Sequence, residues 1–435
     1  MKPVISQDRH TLRALMRRRL SAKIFNRLQE IGRLADAGGV SAYLVGGLVR
    51  DLLLGYTNLD VDIAVEGDGM AFARRLADRY GAGVKVFDRF ATALVVFPDG
   101  FKLDVATARC ESYAHPTALP TVEPSSIKDD LYRRDFTINA LALRLNATPF
   151  GELVDFYGGR HDLSAKIIRV LHARSFVDDP TRVFRAIRFE QRFGFRIETH
   201  TLTLLKKAAA SDLVRRLSGP RLRNEVMRLL SEQAPARAVR RMAECDLLRF
   251  LHTGLALTAH LTGLLSDLGK SLAWWTKRFP RRPLDRALVY FIGLMDELSA
   301  SATHAVVKQL ALPGDQANKI SLAKKHVAPA LRSLARQRSP QPSETYRTLA
   351  DLPDEGLVLL VAKARSTDIA RLVSAYVTTQ QHVRPSLNGA DLKALGLKPG
   401  PIYKKILDRL LEARLDGEVK TRADERELVK KLAKV

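Results

Sequence analysis

From residue 42 to about residue 107 short apolar runs alternate with segments of helical spacing, and beyond about residue 162 nearly the whole chain keeps helical spacing. That pattern predicts a mixed α/β head followed by an all-helical remainder. Tyr43, Leu44 and Val45 form an apolar run that stops at Gly46 and Gly47, after which residues 48–54 read as one or two helical turns closed by Gly55. Leu59, Val61, Ile63 and Val65 then alternate with Asp60, Asp62, Ala64 and Glu66, so a strand here carries both aspartates on one face. After the Pro98-Asp99-Gly100 turn a second strand sets Phe101, Leu103 and Val105 against Lys102, Asp104 and Ala106. Asp179 and Pro180 read as the cap and first residue of a helix. Stretches rich in proline and arginine at 279–283 and 336–342 suit connections between helical subdomains, and Gly396, Gly400 and Pro401 mark a tight turn between helices.

A chain of 435 residues is long enough for about three or four packing units. The best candidate for a membrane span, residues 251–275, is broken by His252, His260, Asp267 and Lys270, so it reads as a helical segment of a soluble protein. Cys110 and Cys245 offer neither a disulfide framework nor a zinc site, and the N-terminus shows no apolar core with a small-residue cleavage site. A reducing, cytoplasmic setting is expected. Charge changes the picture most. Lysine and arginine number 71 against 47 acidic residues, a formal charge of +24, and such a surface concentrates polyanions. The basic residues are spread along the chain and form no juxtamembrane tract, which favours nucleic acid over a membrane surface.

The candidate chemistry lies in the head. Paired glycines let the backbone approach a ligand, the free amides of a helix start favour an anion such as a triphosphate, and Arg50 adds a cation there. Asp60 and Asp62 on one face repel each other unless a cation sits between them, and magnesium prefers such hard oxygens; Asp104 completes a three-carboxylate cluster. An Asp-x-Asp strand alone is more simply a solvated face, but the glycine turn and the third carboxylate outweigh that explanation. Asp179 and Arg182 form an i, i+3 pair, with Arg185 on roughly the same stripe. A structural salt bridge is one reading of that pair. The other is base selection: a carboxylate accepts from the exocyclic amine of C or A, and a guanidinium donates to the adjacent ring acceptor.

Four stretches of residues carry a family resemblance. Leu44-Val45-Gly46-Gly47-Leu48-Val49-Arg50-Asp51-Leu52-Leu53-Leu54-Gly55 followed by Asp60-Val61-Asp62 resembles the signature of class II tRNA nucleotidyltransferases and bacterial poly(A) polymerases, members of the polymerase-beta-like superfamily. The likeness continues in Arg133-Arg134-Asp135-Phe136-Thr137-Ile138-Asn139-Ala140, in Asp178-Asp179-Pro180-Thr181-Arg182 with Arg185-Ala186-Ile187-Arg188-Phe189, and in the tail run Leu387-Asn388-Gly389-Ala390-Asp391-Leu392. Asp178 stands where many members have glutamate.

The resemblance implies a mixed-sheet nucleotidyltransferase head (1–160), a helical neck that selects the base (161–245), a helical body (246–340) and a helical RNA-binding tail (341–435). It implies two magnesium ions on Asp60 and Asp62, with Asp104 as a further catalytic carboxylate. Nucleotide contacts would come from Gly46, Gly47, Arg50, Asp51, Arg109, Arg133, Arg134, Asp135, Asn139, Asp178, Asp179, Arg182, Arg185 and Arg188, and RNA contacts from Gly400, Lys404 and Lys405. The implied partners are the tRNA acceptor end and ATP, with CTP as a second nucleotide. The implied reaction is template-independent transfer to the tRNA 3′ end, building or completing CCA. The run Val65-Glu66-Gly67-Asp68-Gly69 and the tail look most like members that add only the terminal A. The segment 110–127, with Pro116, Pro120 and Pro124, resembles the family's flexible loop, which is shortened in members that add only CC. A poly(A) polymerase and a catalytically inactive RNA-binding protein remain the alternatives.

Overall fold

The computed structural model describes residues 9–56, 60–112, 121–337 and 339–433, and they form two compact units. The first runs to Ser218 with Glu244–Leu247 added; the second holds Gly219–Ala243 and the chain from Leu248. Leu59 of the expected aspartate strand and residues 113–120 of the proline-bearing segment lie outside the described residues.

The first unit opens with helices α1 (Arg9–Arg19) and α2 (Ala22–Ala37). A sheet then forms from β1 (Ser41–Val45), β2 (Val61–Glu66), β3 (Gly83–Phe87), β4 (Thr92–Val96), β5 (Lys102–Thr107), β8 (Ala142–Arg144) and β9 (Leu153–Val154), in the order β3-β4-β5-β2-β1-β8-β9. Helix α3 (Gly47–Leu54) follows β1 directly, and α4 (Gly69–Tyr80) follows β2. Only β2 and β5 pair in parallel within this sheet; its other pairs are antiparallel. Strands β6 (Arg109–Ser112) and β7 (Thr121–Pro124) pair separately, at the two ends of the proline-bearing segment.

The alternation read from the sequence survives in burial. In β5, Leu103 and Val105 are buried, while Lys102 and Asp104 are exposed. Helix α5 (Ile127–Tyr132) packs Ile127 and Leu131 onto the face made by Tyr43, Val45, Ala64 and Ala142. That is also the face of Asp62, since Tyr43, Val45, Ala64 and Asp62 follow the two-residue period of β1 and β2.

Beyond the sheet come α6 (Gly159–Ala165), β10 (Ile167–Ile168), α7 (Ser175–Asp178), α8 (Arg182–Phe193), β11 (Arg196–Ile197) and α9 (Thr199–Ala210). The parallel pair β10–β11 departs from the all-helical remainder expected here, because two-residue strands are too short to leave a period in the sequence. Elsewhere beyond residue 162 the named elements are helical. The named elements of the second unit are all helical, and residues 279–283, 336–337 and 339–342 fall at helix ends and connections. No helix among the described residues is long and apolar enough to cross a membrane.

Helix α2 holds the sheet by close approach. A Cβ on Gly32 would stand 1.7 Å from the carbonyl oxygen of Leu145, just past β8. Asn146 locks the same junction: its Oδ1 accepts from the Ala42 amide at 2.9 Å, and its Nδ2 donates to Asp36 at 2.8 Å. Gly32→Ala must therefore push backbone from backbone. We expect a loss of at least about 2 kcal/mol in urea unfolding followed by circular dichroism. A variant as stable as the parent would contradict this packing.

Candidate active site

Gly46 leaves β1 with φ +77°, a conformation that suits glycine, and no side chain caps the helix α3 that begins after it. A Cβ at Gly46 would stand 3.3 Å from Asp62 Oδ2 and 3.3 Å from Arg134 Nη1. An anionic and a cationic side chain thus converge on bare backbone at an uncapped helix start. This is a setting for a ligand that carries both phosphate oxygens and bound cations.

Asp62 sits opposite Val45 on one side and opposite Asp104 on the other, in the parallel register of β2 and β5. Asp60 is exposed and stands one residue before β2. Burial, then the charges of Asp104 and Asp60, push the Asp62 carboxyl up to about 6 against the opposing pull of Arg134. The Asp104 carboxyl is likewise raised, by burial and by Asp60. Among the described residues no three His, Cys, Asp or Glu side chains are grouped so as to hold a metal ion. Asp62 and Asp104 face each other across strands, and Asp60, one residue before β2, acts on both through its charge. Hard oxygens in mutual repulsion are the donors a divalent cation favours.

Asp130 and Glu111 hold the basic side of the site, and neither was singled out from the sequence. Asp130, fully buried on α5, accepts from Arg133 Nε and Nη2 at 3.1 and 2.7 Å and from Arg134 Nη2 at 2.8 Å. Its burial alone would raise its carboxyl, but the two arginines outweigh that and hold it below the usual range. Glu111 accepts from Arg133 Nη1 at 2.7 Å and from Arg109 Nη2 at 3.4 Å, and Arg109 Nη1 also donates to the Phe90 carbonyl. The signals were present as i, i+3 and i, i+4 spacing from Asp130 to the two arginines, and as i, i+2 strand spacing from Arg109 to Glu111.

Arg50 departs from expectation. Its guanidinium is 4% exposed and turned inward: Nε donates to Asp51 Oδ1 at 2.8 Å and Nη1 to Asn139 Oδ1 at 2.6 Å, over the rings of Phe189 and Phe193. Burial lowers its pKa, and its ion pair with buried Asp51 opposes the shift. Asn139 passes the chain on, donating to Asp135 Oδ1 at 2.8 Å, and Asp135 Oδ2 accepts from Arg185 Nε and Nη2 at 2.8 and 2.6 Å. Asp135 is held at about 2: its burial works upward, and Arg185, Asn139 and Arg182 outweigh it. Arg50, Asp51, Asp135, Asn139 and Arg185 are therefore an internal tie between α3, the turn after α5 and α8. Arg50, expected beside the phosphates, here spends its guanidinium on Asp51 and Asn139.

Asp179 caps the turn into α8, with Oδ1 accepting from the Thr181 amide at 3.0 Å and hydroxyl at 2.7 Å. The regular helix starts at Arg182, two residues later than expected, after a tighter turn in which Arg182 N donates to the Asp179 carbonyl. Arg182 is 6% exposed and donates to Ser175 Oγ and to the Arg133 carbonyl, both at 2.7 Å. Asp178 lies 3.5 Å from Arg174 Nε and 3.9 Å from His172 Nδ1. Arg188 stacks its guanidinium 4.7 Å from the Phe189 ring centre. Gly400, Lys404 and Lys405 belong to the second unit: Gly400 is the N-cap of the helix Pro401–Leu415, and both lysines are exposed near its start.

Comparison with known proteins gives a consistent neighbourhood. Residues 42–169 match the poly A polymerase head domain, and residues 194–257 match a domain described as the probable RNA and SrmB-binding site of polymerase A. An A-adding tRNA nucleotidyltransferase of Geobacter sulfurreducens is 44% identical over 96% of this chain, and one of Halalkalibacterium halodurans is 32% identical over 94%. The chain spans 48% of the length of the Geobacter relative and 93% of the Halalkalibacterium one. Among solved structures, a CCA-adding enzyme in an apo form is 36% identical with a TM-score of 0.84 over 97% of this chain and 98% of its own. The Thermotoga maritima CCA-adding enzyme complexed with tRNA is 34% identical with a TM-score of 0.78, covering 97% of this chain and 98% of that one.

The raised Asp62 carboxyl predicts a stability signature. A folded pKa of about 6 against 3.8 in the open chain means that the folded state holds the extra proton, so stability falls as pH rises through that window. With a chelator present, Asp62→Asn should flatten that fall and be more stable than the parent at pH 7 by roughly 1–2 kcal/mol. Urea titrations of both proteins between pH 4 and 7 read this directly; a variant less stable at pH 7 would contradict it.

Proposed function

The chain belongs to the family of tRNA nucleotidyltransferases and poly(A) polymerases, and from that premise we propose that it adds the terminal adenosine to tRNA ending in CC, transferring AMP from ATP to the RNA 3′ hydroxyl. One observation carries the reading: Asp62 and Arg134 converge on Gly46 at the uncapped start of α3, an arrangement suited to a metal-bound triphosphate. The A-adding relatives support the terminal adenosine over CC addition or full CCA synthesis, in which CTP would be a second nucleotide.

The family uses a divalent metal. For this chain we assign two Mg2+ ions to Asp60 and Asp62, whose oxygens and mutual repulsion fit the ion's preference. When bound, the ions supply Lewis-acid stabilisation to the attacking and leaving oxygens. The protein's own groups do the rest. The α3 amides that follow Gly46 and Gly47 hold triphosphate oxygens, and Arg134, aimed by Asp130, donates to them from the side. Arg109 and Arg133, braced by Glu111, extend that basic wall. The 3′ oxygen attacks the α-phosphorus, its bond to the bridging oxygen breaks, pyrophosphate leaves, and the hydroxyl proton passes to solvent. Asp104, across from Asp62, maintains the negative field that recruits cations.

Base choice in this reading belongs to Asp179 and Arg182, with Asp178 beside them, as acceptor and donor for the edge of adenine. Arg188 flanks them on α8. Residues 1–160 are then the catalytic head, 161–245 the base-selecting neck, 246–340 the body and 341–435 a tail that meets RNA phosphates through Gly400, Lys404 and Lys405. The two free cysteines suit a reducing cytoplasm.

Given tRNA ending in CC and each labelled nucleotide in turn, the protein should add one A and stop, with single-stranded RNA a poor primer. Ladders of many adenosines on both substrates would replace this reading with a poly(A) polymerase. Asp60→Asn and Asp62→Asn should each lower kcat by about a thousandfold or more while leaving tRNA retention on filters unchanged. Asp179→Ala should raise U and G incorporation relative to A; a uniform fall for all four nucleotides would assign that side chain to capping alone.

A further inference from the structure

The end of α5 sends three successive side chains in different directions. Arg134 reaches Gly46, Arg133 reaches Asp130 and Glu111, and Tyr132 turns towards Tyr157 and His172. The ring centres of Tyr132 and Tyr157 are 5.6 Å apart, those of Tyr132 and His172 5.1 Å, and those of Phe156 and Tyr157 6.2 Å. Four rings thus run in sequence, Phe156, Tyr157, Tyr132, His172. Tyr132 is 46% exposed and Phe156 49%, so the first and third rings of this run offer large aromatic surface to solvent.

The run is anchored from below. Tyr157 packs on the Ile127 and Leu131 core and its hydroxyl donates to the Lys128 carbonyl at 2.9 Å. His172 is half-buried with Nδ1 3.9 Å from Asp178, and Lys128 Nζ lies 6.0 Å from the Phe156 ring centre. Grouped exposed aromatic surface marks an interaction site, and the lysine beside it favours a partner that is flat and anionic. Stacked nucleobases on a phosphate backbone have that chemistry. The chain order agrees: Tyr132 is two residues from Arg134, a backbone span of at most about 7 Å, so one short stretch of chain carries both the shelf and the arginine that reaches the glycine turn.

We propose that Tyr132, Phe156, Tyr157 and His172 form a stacking shelf for the single-stranded 3′-terminal bases of the RNA being extended. The proposal rests on the nucleotidyl-transfer reading above and adds to it the residues that seat the primer end. Stacking reads any base, so the shelf positions the end without selecting its sequence, while the choice of incoming nucleotide stays elsewhere.

The test uses the full chain, with Tyr132→Ala, Phe156→Ala and Tyr132→Phe each checked by circular dichroism. Against tRNA ending in CC, each alanine variant should raise the KM for RNA about tenfold and leave the KM for ATP within about twofold, and Tyr132→Phe should restore the parent value. A tRNA whose 3′-terminal base is 2-aminopurine should lose fluorescence on binding the parent protein and lose markedly less with either alanine variant. Folded variants with parental RNA KM and parental quenching would overturn the shelf and leave these rings to a protein partner. An equal rise in both KM values would also overturn it, by assigning the rings to the incoming nucleotide. The binding readout needs no turnover, so a parent protein that transfers no nucleotide would refute the nucleotidyl-transfer reading while quenching still judged the shelf.

Discussion

A run of five polar side chains, buried except for the half-buried Arg185, determines how the site holds together: Asp51, Arg50, Asn139, Asp135 and Arg185, each bonded to the next. It links the helix after the glycine turn, the turn after α5 and the first turns of α8. The four buried groups depend on their neighbours for solvation, so removing one strands the next. Ion pairs of this kind contribute little net stability over an apolar replacement, but they fix geometry. Here the geometry is the relation between the uncapped amides of α3 and the segment carrying Asp179 and Arg182. The stacking of Arg50 on Phe189 and Phe193 seals the run from water.

Against that rigid frame the carboxylates are deliberately unrelaxed. β2 and β5 run parallel, so Asp62 and Asp104 face each other in register, where neighbouring like charges disfavour each other. Arg134 could neutralise Asp62, yet its Nη2 is engaged by Asp130 and only its Nη1 is directed towards the glycine turn. Asp130 thereby stops the site from collapsing into a closed salt bridge. The field at Asp62 stays negative and the field beside Gly46 stays positive, which is the polarity a cation-bound triphosphate requires. Asp130 and Glu111 do no chemistry themselves; they decide where three arginines point.

The legible part of this arrangement was whatever repeats at short range. β1, the glycine turn, α3 and the inward and outward faces of β5 follow from alternation and from glycine, because those patterns state which side of an element meets the core. The inward turn of Arg50 was not legible for a physical reason: a cation one turn into a helix start looks the same in sequence whether it faces phosphate or folds back on its own neighbour Asp51. Only the positions of Asn139 and Phe189, 89 and 139 residues away, decide between them. Period-two spacing places Asp60 and Asp62 on one face, but the pairing that sets Asp62 opposite Asp104 comes from β5, some forty residues away, and leaves no local period. The aromatic shelf was invisible for the same reason as Arg50, since Tyr132, Phe156 and His172 meet only once α5, the turn after β9 and the turn before α7 are packed.

The excess of positive charge gains meaning once the acids are followed. In the second unit many carboxylates are spent on structure. Asp354 takes Arg282, Glu355 takes Lys319, Asp296 takes Lys363, and buried Glu425 accepts the amides of Ser386 and Leu387 together with Arg414. A carboxylate consumed this way neutralises a cation that is already fixed, so it cannot dilute the field of the remaining lysines and arginines. Lys404 and Lys405 take part in none of the ion pairs among the described residues, and both are exposed at the start of a helix whose own N-terminal amides carry partial positive charge. The acids that are paired in this way position backbone and cations, while Lys404 and Lys405 stand outside such pairs at a helix start, where they can meet phosphate.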